Sequence, residues 1–341
     1  MKLTSDLIYG FATSLLSERY DNPKPTPQFH RELWDYCCSD HSLVAIAAPR
    51  GHAKSTAVTH AYTLAAVLFR KADFVVLVSD TELQAVQFLN DIKMELYENQ
   101  KLRGLFKIAD IYKDAEREIR FKMGSDNHQV RIMARGASGG SGSVRGFKWR
   151  GKRPNLIICD DMENDEAVSN EERRDKFRNW FYGALIPALS DTGQIRLVGT
   201  VLHFDSLLER LMPETTGDEA QYTVKEKLKE YSLDKKRAWH SIKYRAHTDF
   251  DDFQDILWPE KFDEKRLSKL KNDFIKQGIS EGYAQEYLNY PIHEGDAFFR
   301  KNDFVPMSEE DFDLAKTYYA AIDFAISEKD KRSYSVITVG G

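Results

Sequence analysis

The segment Leu43-Val44-Ala45-Ile46-Ala47-Ala48-Pro49-Arg50-Gly51-His52-Ala53-Lys54-Ser55-Thr56 constrains the chain most. An apolar strand-like run ends in a Pro/Gly turn. A lysine and two hydroxyl residues follow and open a helical pattern over Thr56–Phe69. Strand, loop and helix N-terminus in that order form a phosphate cradle, because loop N–H groups and the helix dipole both favour an anion. In such a cradle Lys54 reaches the β- and γ-phosphates of a nucleotide and Ser55 serves Mg²⁺. The strict pattern G-x-x-x-x-G-K-[ST] has glycine where Ala48 and Ala53 stand here, although Gly51 remains. The bland alternative is an ordinary strand-turn-helix with a surface lysine.

A second run, Asn155-Leu156-Ile157-Ile158-Cys159-Asp160-Asp161-Met162-Glu163, reads as a buried strand delivering carboxylates at its C-terminal end. Ligands of open α/β sheets bind at that end. Asp160 is the expected Mg²⁺ partner, and Asp161 or Glu163 the group that orients or deprotonates an attacking water. A solvated acidic turn is the plainer reading. A third strand ends in Gly199-Thr200, where a polar residue can sense the γ-phosphate; Asp205 reads as the N-cap of a following helix.

Apolar runs at Leu43–Ala48, Phe74–Ser79, Val130–Ala134, Leu156–Asp160 and Ile195–Gly199 alternate with helical patterns at Glu82–Tyr97, Asn170–Leu189 and Asp205–Leu211. This alternation predicts an α/β fold with a mostly parallel sheet flanked by helices. Ala137–Ser143 is a flexible loop by composition. Residues 1–212 are expected to form the core, and 213–300 a small lid or linker carrying a helix at Asp263–Gln277. Residues 301–341 are expected to hold the linker and first strands of an incomplete further domain, since the apolar runs from Tyr318 and at Ser333–Val339 lack enough partners to stand alone.

Of the 341 residues, 42% are hydrophobic and 30% charged, as in a soluble globular protein. No apolar run reaches the roughly 18 residues of a membrane span. Three cysteines, Cys37, Cys38 and Cys159, make neither a zinc spacing nor a disulfide framework. A reducing cytoplasm is the expected compartment. The net charge of −5 gives no global attraction to nucleic acid, so any DNA contact needs a local patch. Ser143–Arg153 is such a patch, with basic residues interleaving Phe147 and Trp149. Arg145 reads as an arginine finger, as a nucleic-acid backbone contact, or as part of a solvated hairpin. Gln28, before a helix at Arg31–Cys38, has an amide able to read adenine's edge. Asp323, inside an apolar strand, has the carboxylate that a two-metal site needs.

Together these segments resemble the large terminase subunit of tailed bacteriophages, the ATP-driven motor that packages DNA into procapsids. Pro49-Arg50-Gly51-His52-Ala53-Lys54-Ser55 looks like that family's variant Walker A loop, and Ile157–Asp161 like its Walker B strand. The resemblance implies an ASCE-type P-loop ATPase and places Arg50 and Thr56 in the same nucleotide site. By that match Asp160 is the magnesium aspartate, and Asp161 stands where the family more often has Glu. Ser143-Val144-Arg145-Gly146 resembles the arginine-finger segment, Gly199-Thr200 the coupling motif, and Ser79–Ala85 a stretch shared with superfamily 2 helicases. Gln28 falls near the adenine-reading position. Trp258-Pro259-Glu260 and Tyr290-Pro291 resemble the region linking ATPase to nuclease, and Ile322–Ala325 the first strand of the RNase H-like nuclease. The implied cofactors are ATP and Mg²⁺, with two divalent metals, Mg²⁺ or Mn²⁺, for the nuclease of a full-length protein. The implied partners are double-stranded DNA, other copies of the chain in a ring on the procapsid portal, and the small terminase subunit. No membrane partner is expected, and the implied location is the cytoplasm of the infected bacterial host. The rival readings are a helicase-like DNA-dependent ATPase and a degenerate nucleotide-binding scaffold.

Overall fold

The computed structural model describes residues 2–16, 24–137, 146–212 and 239–291, together with the backbone of two strands at 319–323 and 336–340. The chain divides into two units, Met1–His293 and Glu294–Gly341.

The first unit opens with α1 (Ser5–Phe11) and α2 (Gln28–Cys38), followed by β1 (Leu43–Ala47). A π-helical stretch, Thr56–Tyr62, runs on into α3 (Thr63–Leu68), so the helix expected over Thr56–Phe69 is present with a wider first part. Next come β2 (Phe74–Ser79), α4 (Glu82–Glu98) and α5 (Gln100–Phe106). A hairpin of β3 (Asp110–Ala115) and β4 (Glu118–Met123) leads to β5 (His128–Gly136) and β6 (Leu156–Asp160). The helices α6 (Asp165–Val168), α7 (Glu171–Trp180) and α8 (Ile186–Ala188) precede β7 (Gln194–Gly199) and α9 (Leu207–Arg210). The unit closes with β8 (Trp239–Lys243), α10 (Glu264–Lys276) and α11 (Ser280–Leu288).

Eight strands form one sheet in the order β3-β4-β5-β2-β6-β7-β1-β8, parallel except for the antiparallel β3-β4-β5 edge. Strand side chains alternate between faces. Val44, Ile46, Val75, Leu77 and Ile158 meet α1 to α4 on one face. Ala45, Val76, Ile157, Cys159 and Leu197 pack on the other against Phe181, Leu185, Leu207 and Leu208. Both faces are covered, which is why the central strands are apolar without alternation.

Three details differ from the sequence expectation. Helix α2 starts at Gln28 rather than Arg31, because Phe29, His30, Leu33, Trp34 and Cys37 all lie on its buried stripe. Strand β8 pairs with β1, so the stretch 213–300 also contributes to the main sheet. Helix α9 is capped by Ser206, whose Oγ accepts from Glu209 N, not by Asp205. Asp205 is drawn away by three guanidiniums, those of Arg174, Arg178 and Arg210.

In the second unit β9 (Tyr319–Asp323) pairs antiparallel with β10 (Val336–Gly340), and Asp323 faces Val336 in the register.

Candidate nucleotide-phosphate site

Register decides which residues meet. Ala47 pairs with Gly199, Asp160 with Val198, and Ser79 with Asp160. Strand β7 therefore lies between β1 and β6, and the carboxyl ends of all three are level. The Ala48–Ser55 loop, Asp160-Asp161 and Gly199-Thr200 project from one edge, where a ligand of an open α/β sheet binds.

The loop leaves β1 through Ala48, whose N–H donates to Gly199 O at 2.9 Å. Gly51 has φ +75 and Ala53 φ +56. The left-handed conformation at Ala53 costs about 1–2 kcal/mol relative to glycine. The first helical bond, Ala57 N to Ala53 O at 2.9 Å, follows directly. Lys54 is buried, 7% exposed, yet its ammonium lies 3.0 Å from Asp161 Oδ2 and donates to Thr200 Oγ1 at 3.1 Å. Asp161, with φ +42, accepts from Thr200 N through Oδ1 at 3.1 Å. One cation, one carboxylate and one hydroxyl thus close a small ring across the ends of three strands.

Asp160 points inward and is fully buried. Its Oδ2 accepts from Thr59, and its main-chain carbonyl accepts from Ser79 Oγ at 2.8 Å. Among the described residues its Oδ1 has no hydrogen-bond partner. Burial pushes this carboxyl well above the usual carboxylate range and the charge of Asp161 adds to the rise, while Lys54 and the Thr59 and Ser55 hydroxyls pull against it. An orphaned buried carboxylate oxygen beside a serine hydroxyl is what a hard cation requires, so Ser55 and Asp160 fit Mg²⁺. Among the described residues no three His, Cys, Asp or Glu side chains gather as a metal-ligand set. A nucleotide-borne Mg²⁺ needs no such set, since phosphates and waters fill most positions.

The sequence candidates divide on this geometry. Lys54, Ser55, Asp160, Asp161 and Thr200 come together. Glu163 turns away: its two oxygens accept from Leu207 N at 2.8 Å and Leu208 N at 3.0 Å, capping α9. Burial raises its pKa, with those two amides opposing. Arg50 is held by Glu286, through N to Glu286 O at 2.8 Å and Nη1 to Oε1 at 2.7 Å. His52 is buried against Phe262, with ring centroids 4.5 Å apart, and burial drives its imidazole down to about 3, so it is neutral. Pro49 is buried and Thr56 half-buried at the start of the π-helical stretch. Gln28 is exposed at the start of α2. Arg145 and the loop from Ser138 to Ser143 lie outside the described residues. Downstream of them Trp149 and Lys152 form a tight turn through Arg150 and Gly151, both with positive φ, so part of the basic segment is a hairpin. A cavity of about 980 Å³ opens beside the loop, with Ser55, Thr56, Trp258, Lys261 and Arg266 in its wall.

The sequence reading missed Thr59, Glu286 and Lys261. Thr59 carried a usable signal, lying one helical turn beyond Ser55 on the same face. The other two act across more than two hundred residues and left no local trace.

A mostly parallel sheet flanked by helices, with a lysine-bearing loop after one strand and paired aspartates at the end of another, has the fold of P-loop NTPases. The fold is, more particularly, that of phage large-terminase ATPase domains. The Thermus phage P74-26 large terminase ATPase domain superposes with a TM-score of 0.50 at 14% identity, covering 79% of this chain and 94% of that one. A point mutant of the same domain matches equally, covering 95% of that chain. The large terminase of the thermophilic bacteriophage D6E aligns over 89% of this chain and 63% of its own at TM-score 0.48 and 11% identity. The sequence matches no protein-family model and no curated protein. Among the described residues no helix is long and apolar enough to cross a membrane.

Proposed function

We propose that this chain hydrolyses ATP and that the hydrolysis drives double-stranded DNA into a procapsid, the work of a large terminase. The observation that carries the ATPase reading is the convergence of Lys54, Asp160, Asp161 and Thr200 at one sheet edge. The packaging role rests on the terminase-type fold and on the motifs that resemble that family.

The loop amides from Gly51 to Ser55 and the Lys54 ammonium bind the phosphate tail. Lys54 exchanges Asp161 for phosphate as the nucleotide enters. Ser55 and Asp160 would hold Mg²⁺, which when bound supplies positive charge against the β- and γ-phosphates. Asp161 is then free to accept a hydrogen bond from the attacking water and orient it toward the γ-phosphorus. Glu163, already spent on α9, is the weaker candidate for that task. Thr200 bonds both to Lys54 and, at 3.3 Å, to Ala48 O, and so registers loss of the γ-phosphate. Arg145 completes the site from a neighbouring copy in a ring, and Arg50, bound to Glu286, holds the loop's outer side. Gln28 contacts the base. Residues 1–212 act as the motor core, joined by β8, and the rest of 213–300 as the lid and linker. Asp323 on β9 offers one carboxylate to a two-metal nuclease site. The portal and the small subunit are the assembly partners, in the host cytoplasm.

The test is ATP turnover against protein concentration, with and without double-stranded DNA, for the unsubstituted chain, for Lys54→Ala and Arg145→Ala, and for the two variants mixed. Specific activity that rises with concentration and DNA, and returns on mixing, supports a shared-site motor. Turnover indifferent to concentration, DNA and mixing contradicts it.

A further inference from the structure

The phosphate loop is gripped from outside by a distant part of the chain. Lys261 Nζ donates to Gly51 O at 2.7 Å. The next residue, Phe262, is buried and stacks on His52 with an interplanar angle of 16°. Its ring also closes the space over Gly51, where a Cβ would meet Cζ at 3.1 Å. His52 in turn is fixed by its own neighbours: Nδ1 lies 3.0 Å from Arg50 O, and its carbonyl accepts from His30 Nε2 at 2.8 Å. Neither Lys261 nor Arg266, which donates to Lys261 O at 3.0 Å, forms an ion pair among the described residues. Lys261 therefore places its charge on a neutral carbonyl although a carboxylate would hold it more strongly.

The strained residue of the loop is Ala53, two positions after Gly51 and in a left-handed conformation that alanine resists. A glycine there would hold this shape with less opposition. We propose that Lys261 and Phe262 are positioning residues for nucleotide binding: they impose on the Gly51–Ser55 loop the phosphate-ready shape that Ala53 opposes. This inference rests on the nucleotide-binding reading of the loop. Both residues lie directly before α10, so docking of that segment and the affinity of the loop for phosphate are one equilibrium. Nucleotide binding favours the docked segment, and undocking weakens binding by the same factor.

The experiment measures the dissociation constant of Mg·ADP by calorimetry and thermal melting without nucleotide. The proteins compared are the unsubstituted chain, Lys261→Met, Phe262→Leu, and each of these combined with Ala53→Gly. Lys261→Met is expected to weaken binding about five- to thirtyfold, the scale set by the strain of one left-handed alanine. Ala53→Gly added to the same chain is expected to recover most of that loss. Phe262→Leu is expected to behave alike, with melting within a few degrees of the parent. Lys261→Met with unaltered affinity overturns the proposal. A loss that Ala53→Gly leaves in place also overturns it, because Lys261 would then act on the phosphates directly. If the unsubstituted chain binds no nucleotide, the NTPase reading falls and this proposal with it; if it binds and the variants match it, only this proposal falls.

Discussion

Lys54 and Asp161 face each other at 3.0 Å, the cation of the loop after β1 against the carboxylate that follows β6. The lysine is thus paired with the residue proposed to orient water. In the proposed mechanism phosphate breaks this pair and releases both groups to separate tasks.

Asp161→Asn removes the charge that holds Lys54 but keeps the shape. Nucleotide affinity should be unchanged or stronger, since Lys54 no longer leaves a carboxylate. Single-turnover hydrolysis should fall about 10²- to 10³-fold, the scale of a lost water-orienting group. A drop in affinity with an intact chemical step would assign Asp161 to binding instead.

Glu163→Gln tests the alternative carboxylate. Gln keeps one acceptor oxygen but turns an NH₂ toward an N–H at the α9 N-terminus. The expected cost is about 1 kcal/mol of stability, read as a melting temperature a few degrees lower. Turnover should stay within severalfold of the parent. A loss matching that of Asp161→Asn would reverse the assignment.

Arg196 is fully buried and donates to the carbonyls of Cys37, Ser39, His41 and Ser42, and pairs with no carboxylate among the described residues. It ties β7 to the C-terminal end of α2. Arg196→Met leaves those carbonyls without their donor and should cost about 2–4 kcal/mol in denaturant melts. A cost under about 1 kcal/mol would mean that water replaces the guanidinium.

His30 and His52 are buried, and burial lowers them to about 4 and about 3. Their folded pKa values lie below the ordinary 6.5, so the neutral forms stabilise the fold. That contribution is complete above pH 6.5 and is lost as pH falls through about 4 and then about 3. Stability should fall toward acid by about 1.4 kcal/mol per pH unit for each histidine inside its window. Melting temperatures between pH 7 and pH 4, compared with a His30→Asn variant, check this. An unaltered slope in the variant would contradict it.

The parts of the fold legible in the sequence are those where one local rule acts alone. Strands β1, β2, β6 and β7 are buried on both faces, so their apolar runs stand out, and the turn after β1 adds Pro49 and Gly51. Strand β3 was not legible, because Asp110–Ala115 forms an edge and is mostly exposed. Strand β8, Trp-His-Ser-Ile-Lys, has too few apolar residues to announce a place beside β1. Site chemistry followed the same division. Lys54 and Asp160 sit at the ends of legible strands. Whether Asp161 or Glu163 faces the site depends on where α9 begins, about forty residues later. The grips of Glu286 and Lys261 on the loop arise only when α10 and α11 return to it.

The most direct measurement is Mg²⁺-dependent ATP turnover by the purified chain beside Lys54→Ala. The lysine that pairs with Asp161 and Thr200 is the group on which the proposed mechanism relies for the phosphate tail. Hydrolysis in the parent, falling at least about 100-fold in Lys54→Ala with an unchanged melting temperature, is the predicted result. Equal turnover in the two proteins would contradict the account.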